Sequence, residues 1–103
     1  MNLGADPNFR ANKRKESLNM TPLTWCTYAG YVEAVNLFIN NARTNVNLVV
    51  LQEDGTYITA LDIANKIGDK GFEIAQNLKA VNARTYLQLL DEYGEISKIP
   101  WMP

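Results

Sequence analysis

Two stretches of the chain place apolar and polar residues in the same order. TPLTWCTYAG begins at Thr21 and TALDIANKIG begins at Thr59. Both run Thr, Pro or a small residue, Leu, polar, apolar, small, polar, two variable residues, Gly. After each glycine comes a second segment with helical spacing: YVEAVNLFIN from Tyr31 and FEIAQNLKAV from Phe72. Each then ends in the tetrapeptide Asn-Ala-Arg-Thr, at Asn41 to Thr44 and at Asn82 to Thr85. The threonines are 38 residues apart and the tetrapeptides 41 apart. An internal repeat at this spacing is the mark of stacked helical units.

The local chemistry predicts the elements of one unit. Thr21 offers an N-cap hydroxyl, and Pro22 fits the first helical position, where its missing N–H is not needed. A short helix then runs to about Ala29, and Gly30 stops it. A second helix covers about Val32 to Asn40, burying a broad face of Val32, Val35, Leu37, Phe38 and Ile39. The second unit repeats this from Thr59 through Gly68 to a helix over about Phe72 to Lys79, with Ile74, Ala75 and Leu78 on one side. Asp69-Lys70-Gly71 is expected to lengthen its inter-helix turn by about two residues relative to the first unit.

Between the pairs, Leu48 to Leu51 is an apolar run with β-branched Val49 and Val50 at its centre. Asp54-Gly55 signals a tight turn, and Thr56, Tyr57 and Ile58 suit a returning strand. A β-hairpin is therefore expected to project between the helix pairs. The stretch from Asn8 to Met20 is longer and more polar, and its Lys13-Arg14-Lys15-Glu16 run reads as a solvated loop. Beyond Thr85, the positions Tyr86, Leu87, Leu89, Leu90 and Tyr93 predict one more amphipathic helix, ending at Gly94. The tail carries Ile96, Ile99, Pro100, Trp101 and Met102. It is expected to cap the open end of the stack, with self-docking or partner binding through Trp101 as the alternative.

Composition narrows the function. The chain has 103 residues, 47% of them hydrophobic and 20% charged, with formal net charge −1. That suits one modest core rather than two. Near-neutral charge speaks against a dedicated nucleic-acid binder. There is no histidine, which removes Ser-His-Asp and Cys-His catalysis and histidine-bearing metal sites. The single cysteine, Cys26, cannot form an internal disulfide and reads as a small buried hydrophobe. Trp25 reads as core. No stretch has the roughly 20 apolar residues of a membrane span. The polar N-terminus shows no ordinary signal peptide. The carboxylates Asp54, Asp62, Asp69, Glu73, Asp91 and Glu92 form no evident acid–base dyad.

The motif words resemble the ankyrin repeat family. Its pattern runs Gly-x-Thr-Pro-Leu-His-x-Ala-Ala-x-x-Gly-His-x-Glu, then two hydrophobic residues, then Gly-Ala-Asp-x-Asn. Thr21-Pro22-Leu23, Gly30 and Glu33 match in one unit. Thr59-Ala60-Leu61-Asp62, Ala64, Gly68 and Glu73-Ile74 match in the other. Leu3-Gly4-Ala5-Asp6-Pro7-Asn8 looks like the tail of an earlier unit, whose helices would lie before residue 1. Thr24 and Asp62 stand where the family's histidine bridges neighbouring loops, and are expected to cap a helix start but not to bridge in the same way. Tyr57 stands where the family has Gly.

The resemblance implies an all-α repeat solenoid of stacked helix-turn-helix units with projecting β-hairpin loops. Its parts are the tail of a preceding repeat over 1–8, repeats over 9–47 and 48–85, and a C-terminal capping helix and tail over 86–103. It implies a non-catalytic module that binds another protein through hairpin tips and the concave inner-helix face. The candidate contacts are Arg10, Lys13 and Arg14 in the first finger, Gln52, Glu53, Thr56 and Tyr57 in the hairpin, and Tyr28 and Lys66 on the inner helices. No cofactor, metal, nucleic acid or membrane is expected. The expected setting is intracellular and cytoplasmic, with secretion by another route left open. The alternatives are a self-associating structural fragment and the recognition arm of a larger enzyme or effector.

Overall fold

Three threonines start three helices in the same way. The computed structural model describes residues 20–52 and 54–102, and in it Thr21, Thr59 and Thr85 each accept a hydrogen bond from the backbone N–H three residues on. The side chains of Thr24, Asp62 and Gln88 reach back to the capping residue's own N–H. Such reciprocal boxes satisfy two otherwise orphaned donors at a helix start. The helices they open are α1 (Pro22–Ala29), α3 (Ala60–Lys66) and α5 (Tyr86–Tyr93).

The remaining elements are α2 (Val32–Ile39), the strands β1 (Val50–Leu51) and β2 (Tyr57–Ile58), α4 (Asp69–Lys79) and a single 3-10 turn at Ile96–Lys98. The fold of the described residues is thus mostly helical, with five α-helices and one two-stranded sheet. The strands are antiparallel, with Val50 opposite Ile58 and Leu51 opposite Tyr57. Helix α1 packs on α2 and α3, and α4 packs on α2 and α3. The Asn77 amide also donates to the Asn36 side chain at 2.9 Å across the α2–α4 interface.

The two inter-helix turns use their glycines differently. Gly30 ends α1 in the left-handed region, at φ 75°. Gly68 has φ −69° and precedes α4 as its N-cap. The connection Ile67–Gly68 is as short as Gly30–Tyr31, which corrects the expected longer second turn. Asp69, Lys70 and Gly71 form the first turn of α4 instead. Asp69 is favourable there because a carboxylate complements the helix N-terminus. Gly71 is required there by packing: a Cβ would collide with the Ala64 carbonyl oxygen and with Ile67 Cγ1 of the adjoining segment.

Trp25 and Leu37 depart from the expected core. Trp25 is 40% exposed and Leu37 is 55% exposed. The buried face of α1 is Leu23, Thr24 and Thr27, and both hydroxyls find carbonyl partners on their own helix or its cap. Thr27 donates to Leu23 O at 2.8 Å and Thr24 donates to Thr21 O at 2.9 Å. With their polar atoms satisfied these threonines can face inward, and a helix that buries residues 23, 24 and 27 turns residue 25 outward. On α2 the fully buried position is Val35, and Leu37 lies well round the helix from it. Cys26 is half-buried against the core, as expected of a small hydrophobe.

The core forms two clusters rather than one. Leu23, Val35, Leu61, Ile74 and Leu78 belong to the larger, between the two helix pairs. Val49, Leu89 and Ile99 form the smaller, with Tyr57, Tyr86, Leu90, Tyr93, Trp101 and Met102 packed around them. The second exists because the tail folds back after Gly94, which takes φ 86°. Val49 N–H donates to Trp101 O at 2.9 Å, and the Trp101 ring meets Tyr93 edge-on at 5.9 Å. Each of the three buried aliphatic side chains contributes about 1.5–3 kcal/mol by leaving water. The hairpin is therefore held at its base by α5 and the tail, and only its turn is free to project.

Replacing Gly71 by Ala tests the close α3–α4 approach. Alanine favours an exposed helix interior by about 1 kcal/mol, whereas here overpacking of about 1–3 kcal/mol should win and lower stability. Urea denaturation is expected to show a reduced midpoint for Gly71→Ala and an almost unchanged one for Phe72→Ala, whose side chain is exposed.

Candidate protein-binding surface

The hairpin turn is built around Asp54. Gly55 N–H donates to Gln52 O at 3.0 Å, and Gln52 N–H donates to Thr56 O at 2.8 Å. Gly55 takes φ 88°, the left-handed conformation that suits glycine at a hairpin turn. Asp54 Oδ1 accepts from the Thr56 hydroxyl at 2.6 Å and from Thr56 N–H at 3.0 Å. These two bonds, the hydroxyl's first, hold the Asp54 carboxyl below its ordinary pKa, and the charge of Lys66 adds to the effect.

The other wall is fixed by Asp62. Its Oδ2 accepts from Thr59 N–H at 2.9 Å and, 24 residues away in sequence, from Tyr86 N–H at 2.8 Å. The Thr59 hydroxyl lies 2.6 Å from Arg84 O, its shortest acceptor. Asn47 Oδ1 accepts from Arg84 N–H at 2.8 Å, and the Asn47 amide reaches Asn82 O at 3.4 Å. Asp62 caps and also bridges, as an acceptor, because one carboxylate oxygen can accept two donors. Thr24, at the equivalent position, stays within its own box.

A cleft of about 500 Å³ opens between the hairpin, α3 and α5. Thr56, Tyr57 and Lys66, three of the residues predicted from sequence, line it together. Asp54, Ile58, Asp62, Tyr86 and Leu87 complete its walls. The rings of Tyr57 and Tyr86 lie 5.7 Å apart and tilted by 41°. Gln52 is half-buried at the turn, its amide 3.4 Å from the Thr56 hydroxyl. Tyr28 is 64% exposed on α1 and does not line the cleft. Ile67, its neighbour in the sequence argument for Lys66, packs against the core. Arg10, Lys13, Arg14 and Glu53 lie outside the described residues.

Sequence reasoning assigns Tyr86 and Leu87 to a capping helix and so misses them as surface. Leu87 carries a signal in retrospect. Tyr86, Leu89, Leu90 and Tyr93 fall on one stripe of α5, and Leu87 falls off it. It is 73% exposed.

Other chemistry is sparse. Burial pushes the Cys26 thiol up, which disfavours the reactive thiolate. Among the described residues no group of three or more His, Cys, Asp or Glu is placed to hold a metal ion. No helix among them is long and apolar enough to cross a membrane.

Thr56→Val removes the hydroxyl that Asp54 accepts. Its carboxyl pKa is expected to rise toward the ordinary value in a pH titration followed by NMR. The sign for stability follows: a lowered folded pKa gives a contribution present above the unfolded value and lost as pH falls through the folded one, and the variant loses part of it. An unchanged titration would rule out the Thr56 hydroxyl bond as the leading cause. No protein-family model matches this chain, and no curated protein or solved structure shows significant similarity to it.

Proposed function

We propose that this chain is a non-catalytic protein-binding module of the ankyrin-repeat type, engaging its partner through the hairpin, α3 and α5. The observation that carries this reading is the cleft itself. Residues from three separate elements converge there, and an aromatic pair, an exposed leucine and charged side chains meet on one surface. Aromatic anchors beside charged groups are the usual make-up of binding hot spots. The repeat reading has support of its own. Two helix pairs carry the same threonine caps, pack on one another helix by helix, and are separated by a hairpin. Tyr28, exposed on α1, holds the position in its unit that Lys66 holds in the next.

Self-association is a second reading, and one observation favours it. Trp25 and Leu37 are exposed on the first helix pair, whereas Ile63, at the position of Trp25 in the second unit, is buried.

Affinity capture from source-cell lysate tests the proposal. The parent is compared with a Tyr28→Arg, Tyr57→Arg, Lys66→Glu variant, after circular dichroism has shown both to be folded. A partner retained by the parent and lost by the variant is the expected result. Equal capture by both, or capture of the chain's own copies alone, would overturn the proposed surface.

A further inference from the structure

We infer that the cleft between the hairpin, α3 and α5 reads an arginine side chain, flanked by an aliphatic residue, on its protein partner. This inference rests on the protein-binding reading and names the chemistry of what is bound.

The charges come first. Two carboxylates, Asp54 and Asp62, face one ammonium, Lys66, so the lining carries a net formal charge of −1. Asp54 takes its two bonds on Oδ1, and Asp62 accepts Thr59 N–H and Tyr86 N–H on Oδ2. Among the described residues, the second oxygen of each accepts no donor. Lys66 forms no ion pair within 4.0 Å among them either, so it does not neutralise Asp54 by direct contact. An anionic occupant would meet two carboxylates and one ammonium; a cation meets the net negative charge and two carboxylates that each keep an acceptor oxygen.

Shape then selects among cations. Tyr57 and Tyr86 are half-buried in the wall as a tilted aromatic pair, and a guanidinium is flat enough to lie along such a ring while its edge donates to a carboxylate. An ammonium supplies charge but neither plane nor fork. Beyond the rings, Ile58 and Leu87 give an apolar rim. Leu87 is 73% exposed, which suits an aliphatic neighbour of the arginine better than water. Both free acceptors sit on anchored side chains: the turn bonds of Thr56 hold Asp54, and the double acceptance holds Asp62. Little ordering remains to be done when a ligand arrives.

The test is a selection from a displayed library of random twelve-residue peptides on the immobilised full chain, run in parallel on Asp54→Lys and on Tyr57→Ala. Asp54→Lys gives up the two turn bonds from Thr56, so circular dichroism checks that all three proteins are folded, and selection of acidic residues separates charge reversal from a loosened turn. Peptides with arginine beside Leu, Ile or Val are expected from the parent. Their affinity should fall about tenfold or more on Asp54→Lys, which should itself select acidic residues in place of arginine. Tyr57→Ala should weaken the same peptides. Selected peptides that depend on Tyr57 but show no arginine preference would overturn the arginine assignment and leave the protein-binding surface standing. Peptides indifferent to both substitutions, or no enrichment, would overturn the assignment; the lysate capture then decides the broader reading separately.

Discussion

One carboxylate oxygen holds the second half of this molecule together. Asp62 Oδ2 receives the N–H that opens α3 and the N–H that opens α5. These two groups are far apart in sequence, so the bond fixes where the chain after α4 must return. Asn82 supports that return from behind: it takes φ 65°, and Ala83 N–H donates to Leu78 O at 3.0 Å, closing α4 in a left-handed cap. Arg84 is then pinned between the Thr59 hydroxyl and Asn47. A charge-assisted bond of this kind contributes about 1.5–3 kcal/mol, and here one acceptor serves two elements.

The consequences reach both the core and the surface. With α5 fixed at its start, Leu89 lands on Val49, and the tail closes over them through Ile99 and Trp101. The same placement brings Tyr86 against Tyr57 and leaves Leu87 outside. The smaller core and the cleft are thus two faces of one arrangement: α5 is buried along one stripe and presents its off-stripe leucine beside the aromatic pair. The hairpin gains a rigid base from the cluster and keeps a turn ordered by Asp54 and Thr56. The walls of the cleft are thus held by the protein's own bonds.

Much of the scaffold is legible in the sequence because it is local. A threonine three residues before a polar side chain, a glycine nine residues after that threonine, and a stripe of aliphatic residues are all short-range signals. They locate α1, α2, α3 and α5 within a residue or so, together with the hairpin and its turn. What escapes depends on neighbours distant in sequence. The loss of a longer second turn turns on Gly71, needed only because α4 approaches the Ala64 carbonyl closely. The exposure of Trp25 follows from buried threonines satisfying themselves on their own helix. The bridging by Asp62 spans 24 residues, and nothing in Thr-Ala-Leu-Asp announces it. Of the cleft, Thr56, Tyr57 and Lys66 are legible by their place in the repeat. Tyr86 and Leu87 are not, because a helix that caps a core and one that lines a surface look alike until the partner face is known.

The central structural claim is that Asp62 locks α5 to α3 and thereby shapes the cleft. Native-state hydrogen exchange at the Tyr86 amide measures it directly, in the parent and in Asp62→Ala. A bonded amide at the start of a helix has no intrahelical acceptor, so its protection must come from Asp62. Exchange at Tyr86 is expected to be slow in the parent and faster in the variant, by about tenfold or more for a bond of this strength, with the amides of α1 and α2 little changed. Rapid exchange at Tyr86 in the parent, or protection untouched by the substitution, would contradict that claim.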